Sequence, residues 1–205
     1  MYTPSHFAVA DRNAQLELID RHPFGTLTTV SAGRARISTV PFLIGPGRAS
    51  LDGHLARANP HWREFDVVTD VVVCFVGPNA YISPNWYQSP DMVPTWNYVA
   101  IEARGRIELL DSRAARLDIV DRLSARHEAD LPRQWTSDKM NPELRDKLLD
   151  AIVAFRLHIE AIEAKAKLGQ NRKPEDLRSA AAALDVSDAV SYPRQVAALM
   201  RGVID

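Results

Sequence analysis

Between Gly53 and Trp62 the chain reads Gly-His-Leu-Ala-Arg-Ala-Asn-Pro-His-Trp, a spacing suited to holding an anion. Pro60 has the fixed φ and the missing N–H that suit a first helical residue, and Asn59 before it is a good N-cap. Arg57 then stands just outside a helix N-terminus, where unpaired N–H groups and a planar guanidinium would together clamp a phosphate. The same residues also describe a capped surface helix beside a solvated arginine, and the stretch alone does not choose.

Three other segments would suit a flat, phosphorylated, aromatic ligand. Ser38-Thr39-Val40 is the polar centre of a strand, whose hydroxyls and main chain could hydrogen-bond the edge of a heterocycle. Lys167-Leu168-Gly169-Gln170-Asn171-Arg172 concentrates cations and amides in a loop, and reads equally as a solvated basic turn before Pro174. Trp96 and Tyr98 could stack on a ring, or simply pack a barrel. The six histidines (6, 22, 54, 61, 127 and 158) form no metal-ligand pattern, so no metal is expected. Gly-x-Ser-x-Gly, Gly-x-x-x-x-Gly-Lys and Gly-x-Gly-x-x-Gly signatures are absent, which leaves those hydrolase and nucleotide-loop chemistries without support.

Elements must position these residues. Asp11 to Arg21 carries Ala14, Leu18 and Ile19 on one helical face and stops at His22-Pro23. Strand-like segments follow at 24–31, 35–43 and 49–55, with turns at Ala32-Gly33 and Gly45-Pro46-Gly47. Short turns imply antiparallel pairing, and Pro41 implies an edge, a bulge or a strand end. A short helix is expected over 59–65. A fully apolar strand follows at 71–76, buried on both faces or central in a barrel, with Cys74 as buried filler, broken at Gly77-Pro78-Asn79 and resumed at 80–83. Residues 95–110 form a long strand with Gly105 as a bulge. A helix capped by Asp111 runs to Glu128, and another starts at Asn141-Pro142. A returning strand at 155–162 precedes the basic loop and terminal helices at 174–184 and 193–203. The fold class is mainly β with peripheral helices, an antiparallel small barrel of about six strands.

Bulk properties set the frame. With 205 residues, 46% hydrophobic and 25% charged, the chain reads as one domain over 1–205, its residues 174–205 a helical C-terminal extension. A net charge of −1 gives no global attraction to nucleic acid or an anionic membrane. One cysteine excludes an intrachain disulfide and a cysteine zinc cluster. The first residues lack the basic and apolar regions of a signal peptide, and no apolar run spans a bilayer, so a cytoplasmic location without membrane contact is expected. Ala180 to Ser187 resembles the bend of a helix-turn-helix, but its recognition helix, Asp188 to Gln195, would contain Pro193 and sit beside Asp185 and Asp188.

The ordered stretches Met1-Tyr2-Thr3-Pro4, His22-Pro23-Phe24-Gly25-Thr26-Leu27, Pro41-Phe42-Leu43, Gly53 to Pro60, Ala80-Tyr81-Ile82-Ser83-Pro84, Val93 to Tyr98 and Lys167 to Arg172 resemble the PaiB-like family. Its members are FMN-binding proteins described as negative transcriptional regulators. The last stretch departs from the family's Lys-Leu-Ser-Gln-Asn, with Gly169 in place of serine. The resemblance implies an FMN-binding split β-barrel and a homodimer with FMN at the subunit interface. It implies Ser38, Thr39 and Val40 along the isoalloxazine and Arg57 with its neighbours, His54 and Asn59, near the phosphate. Lys167, Gln170 and Asn171 would come from the partner subunit; Arg172 and Trp96 complete the candidate set. It implies a regulator or flavin redox sensor, with DNA as an unproven further partner. The competing readings are a flavin-dependent oxidoreductase of a small molecule, and a haem-binding split barrel using His54 or His158.

Overall fold

The computed structural model describes residues 1–68, 70–187 and 192–204. Its strands are β1 (Phe24–Ser31), β2 (Arg34–Pro41), β3 (Leu43–Ile44), β4 (Ser50–Ala56), β5 (Val71–Ile82), β6 (Thr95–Leu110) and β7 (Ile152–Lys167). Its α-helices are α1 (Arg12–Arg21), α2 (Arg113–Glu128), α3 (Pro142–Asp150), α4 (Pro174–Asp185) and α5 (Pro193–Arg201). The strands form a seven-stranded sheet in the order β2-β1-β5-β6-β7-β4-β3, and the fold is mainly β with peripheral helices.

Local chemistry explains most boundaries. Ala32 and Gly33 both have positive φ (47° and 74°), the backbone that a two-residue hairpin turn needs. They join β1 to β2 with Ser31 opposite Arg34 and Phe24 opposite Pro41. Pro41 is the last residue of an edge strand, where its missing N–H costs no ladder bond. Gly77 and Pro78 do not break β5 as the sequence suggested. Pairing with β1 ends at Gly25 opposite Phe75, so the proline has no β1 partner to disappoint. Gly105 is required by close approach: a Cβ there would lie 1.8 Å from the His158 carbonyl oxygen. Ser112, not Asp111, caps α2, accepting from Ala115 N at 3.1 Å. β7 is longer than expected and takes in Lys167, the first residue of the predicted basic loop.

The chain divides into two compact units. The first comprises Met1–Leu18, Val76–Glu102 and Glu163–Asp205; the second comprises Ile19–Phe75 and Ala103–Ile162. In the first, α4 and α5 bury Leu177, Ala180, Leu184, Val196 and Met200 against Ala80 and Ile82. These apolar faces account for both helices as packing elements. Residues 188–191 of the predicted recognition helix lie outside the described residues, and its end, from Pro193, belongs to α5.

The second unit is organised around aromatic rings. Phe42 meets Phe75 and Phe155 edge-on at 5.5 and 5.9 Å, and Phe65 meets Phe155 at 5.4 Å. Asp52 on β4 is fully buried, and Arg156 and Arg122 neutralise it with bonds of 2.7 and 2.6 Å. Burial alone would raise the Asp52 pKa; the two guanidiniums outweigh it and hold the carboxyl below its ordinary value. That ion cluster fixes α2 on β4 and β7.

Candidate functional site

The predicted residues fall into two sets. Ser38, Thr39, Val40, His54, Arg57 and Asn59 belong to the second unit, and Trp96, Lys167, Gln170, Asn171 and Arg172 to the first.

In the second unit Asn59 caps a single 3-10 turn, Pro60–Glu64, accepting from His61 N at 3.0 Å. Its amide nitrogen also donates to Ser38 Oγ at 3.0 Å, which ties the turn to the middle of β2. Sequence reasoning missed His61, which is fully buried between these residues. Its Nδ1 lies 2.8 Å from Ser38 Oγ and its Nε2 lies 2.9 Å from Thr29 Oγ1. Thr29 donates to Glu64, which also accepts from Arg36 Nε at 2.7 Å. Burial is the main cause holding the His61 pKa below 6.5, so the imidazole is neutral. The available signal was the inward register of Thr29 and Ser38 on paired strands, which calls for a polar partner.

Arg57 closes on main chain rather than standing free. Its Nε donates to Asp150 O at 2.7 Å and its Nη2 to Ile152 O at 2.9 Å. A guanidinium has five N–H donors, so this leaves several on a side chain still 38% exposed. The carbonyls hold the group in one orientation, which lowers the entropy cost of a further acceptor. Thr39 is exposed on β2, and Val40 is half-buried.

His54, on β4, takes a different place. It lines a cavity of about 440 Å³ with residues of α2, α3 and their connection. Its Nδ1 is buried without a hydrogen-bond partner, and burial pushes its pKa down.

The side of β1, β2 and β5 that does not face the core carries no charge. Phe24, Val30 and Ile37 are more than 60% exposed there, beside Thr26, Thr28, Thr39 and Val72. Cys74, expected in the core, is exposed on this face, because β5 alternates: Val71, Val73 and Phe75 are buried and Cys74 is not.

In the first unit, Lys167 Nζ donates to Thr95 Oγ1. Gln170 braces its own loop, donating to Ala166 O and accepting from Leu168 N. Arg172 lies over the Tyr87 ring at 5.6 Å, and Asn171 is exposed. Trp96 is 48% exposed and meets Tyr81 edge-on at 6.2 Å. The loop thus brings Lys167, Gln170 and Arg172 into mutual sequence proximity but spends much of their donor capacity locally.

Comparison with known proteins adds the ligand class. Residues 1–161 match the family model described as "Putative FMN-binding domain". The chain is 37% identical over 180 residues to "Protease synthase and sporulation protein PAI 2" of Bacillus subtilis, covering 86% of this chain and 85% of that one. An uncharacterized protein of Saccharomyces cerevisiae is 26% identical over 158 residues, 64% of this chain and 93% of its own. Among solved structures, the flavocytochrome Anf3 of Azotobacter vinelandii superposes with a TM-score of 0.59 at 13% identity, covering 78% of this chain and 69% of its own. A FAD- and haem-binding protein of Mycobacterium smegmatis gives 0.58 at 19% identity, covering 79% and 74%. These two share the fold, an antiparallel split barrel. The donor set suits FMN: an uncharged sheet face costs no charge desolvation to a planar ring system, and Arg57, whose Nη2 also lies 3.6 Å from Asp111 Oδ1, has more N–H groups than its two main-chain carbonyls use. The chain belongs to the PaiB-like family of FMN-binding proteins, with FMN as its cofactor.

Proposed function

We propose that the protein is a cytoplasmic, homodimeric regulator that uses bound FMN as a redox sensor. The observation that carries this reading is the match over 180 residues to a relative named for protease synthase and sporulation. That name describes a cellular process rather than a catalysed reaction.

Arg57 holds the FMN phosphate, braced by the Asp150 and Ile152 carbonyls. Residues 38–40, on the edge strand β2, present main-chain groups not used by β1, together with the Thr39 hydroxyl, to the rim of the isoalloxazine. When bound, FMN supplies a site that stores and releases electrons. The exposed side of β1 and β2, with Phe24, Val30 and Ile37, is covered by a second copy of the chain; an uncharged apolar sheet face of this kind marks an association surface.

Protein purified without added cofactor is expected to be yellow, to release FMN on denaturation and to have a dimeric mass. Arg57→Ala is expected to weaken FMN binding by about tenfold or more, the scale of one charge-assisted hydrogen bond. Unchanged affinity would remove Arg57 from the phosphate site. Salt-sensitive binding to a promoter fragment that changes when the flavin is reduced supports the regulator. Sustained NADH or NADPH oxidation without such binding overturns it in favour of an oxidoreductase, and a Soret band overturns FMN in favour of haem.

A further inference from the structure

We infer that the cavity between α2, α3 and β4 is a second ligand site, for a carboxylic acid with an apolar body. The cavity measures about 440 Å³, within the ordinary range for small-molecule sites. Its walls are apolar: Leu117 and Val120 from α2, Leu148 and Leu149 from α3, and Trp135 and Met140 from the segment between them. Leu148 and Leu144 are each half-exposed on α3, so this side of the helix lacks the cover its apolar side chains call for.

The polar lining is small and has one sign. It consists of His54, Ser137 and Arg145, and no carboxylate lines the cavity. Two of its atoms, His54 Nδ1 and Arg145 Nε, are buried with no hydrogen-bond partner. Asp146 does not satisfy Arg145: its Oδ1 is 3.9 Å from Nε, too far for a hydrogen bond, and the same oxygen is taken by Arg113 Nη2. The Arg145 side chain is 24% exposed and has Asp146 as a distant counter-charge, but its buried Nε–H lacks an acceptor, and an incoming carboxylate oxygen supplies what is missing. His54, kept neutral by burial, offers a further hydrogen bond without adding charge. Apolar walls select the body of the ligand, and the unpartnered Nε–H of Arg145 selects an anionic head.

The test is titration calorimetry of the purified, flavin-loaded protein with 1-naphthylacetate and with its neutral isostere 1-naphthylacetamide. The acid is expected to bind about tenfold or more tightly than the amide, the scale of a hydrogen bond to a charged group. Arg145→Gln is expected to abolish that preference while leaving amide binding in place. Leu148→Trp fills the cavity from a half-exposed position and is expected to remove binding of both compounds. Equal affinity for acid and amide, no binding of either, a preference retained in Arg145→Gln, or unchanged binding in Leu148→Trp each overturn the inference. So does release of flavin by the acid, since that would make this the flavin pocket. The site does not depend on the proposed regulator role, and loss of promoter binding leaves it standing.

Discussion

Ser38 Oγ and His61 Nδ1 are 2.8 Å apart, and the direction of their hydrogen bond is set by groups at the far end of the imidazole. Glu64 is an acceptor only, held ionised by Arg36 and Thr29, so the Thr29 hydroxyl gives its proton to the carboxylate. Thr29 Oγ1 must then accept from His61 Nε2–H. That leaves Nδ1 as the acceptor, and Ser38 donates to it while accepting from Asn59 Nδ2. The Ser38 hydroxyl is therefore turned into the protein, and only main chain and Thr39 remain at the centre of β2 for a ligand.

Because both ring nitrogens serve buried partners, replacing His61 should be costly. His61→Leu is expected to destabilise the protein by about 2–3 kcal/mol, because the buried Ser38 hydroxyl loses its acceptor and Thr29 Oγ1 loses its donor. Urea unfolding at neutral pH measures it, and a change within error of zero would show that water replaces the imidazole.

The same histidine gives a pH dependence with a definite sign. His61, His54 and His22 all have folded pKa values lowered from 6.5, chiefly by burial. The unfolded chain thus binds more protons just below pH 6.5, so the stability is complete above that pH and falls as the pH drops towards the folded values. Removing His61 flattens the slope by at most about 1.4 kcal/mol per pH unit. Thermal midpoints between pH 8 and about 5 test this: a slope identical in wild type and His61→Leu would show that His61 titrates alike in the folded and unfolded chain.

Asp52 produces the acid limb. Its folded pKa lies below 3.8, so its contribution is present above the unfolded value and is lost as pH falls through the folded one. Asp52→Asn is expected to cost about 2–3 kcal/mol at pH 7, less than for a wholly buried pair because Arg122 and Arg156 both reach water. The variant should lose less further stability than wild type on acidification below about pH 4. Parallel acid unfolding curves for the two proteins would contradict this account.

How much of this was legible depends on the distance over which each residue acts. β1 follows from its β-branched residues, the strand at 155–162 from period-two alternation, and Asn59 as a cap from Asn-Pro, because those causes lie within a few residues. The role of Arg57 was hidden, since its acceptors are main-chain carbonyls 93 and 95 positions away and carry no residue-type signal. His61 was hidden likewise, its partners being 23 and 32 positions away. Cys74 was misplaced because an all-apolar strand looks buried on both faces, whereas β5 has one face toward the core and one outward.

That outward face supplies a prediction about assembly. Ile37 is 62% exposed in the protomer, so Ile37→Lys should leave the protomer folded, with a stability change within about 0.5 kcal/mol. It should convert a dimer into a monomer at micromolar concentration and lower the flavin content, because a charge would be desolvated in the interface. Light scattering and flavin-to-protein absorbance read both effects. A dimer of unchanged affinity would move the interface elsewhere.

Gly169 stands where the resemblance implies serine, and the first unit shows the local terms of that exchange. Gly169 has φ +90°, a backbone that other residues adopt only under strain, and a Cβ there would meet Leu177 Cδ2 at 2.6 Å. Gly169→Ala is therefore expected to cost about 1–3 kcal/mol. A Cβ at this position would also lie 3.9 Å from Asn97 Nδ2, a buried amide nitrogen with no hydrogen-bond partner. A serine hydroxyl one bond further out can reach that nitrogen, and a satisfied buried donor returns about 1 kcal/mol. Gly169→Ser should accordingly be less destabilising than Gly169→Ala, by about that amount, despite equal backbone strain. The order should vanish in an Asn97→Leu background, where the donor is gone. Chemical unfolding of the single and double variants decides it: equal costs for serine and alanine beside an intact Asn97 would show that the hydroxyl does not reach the amide.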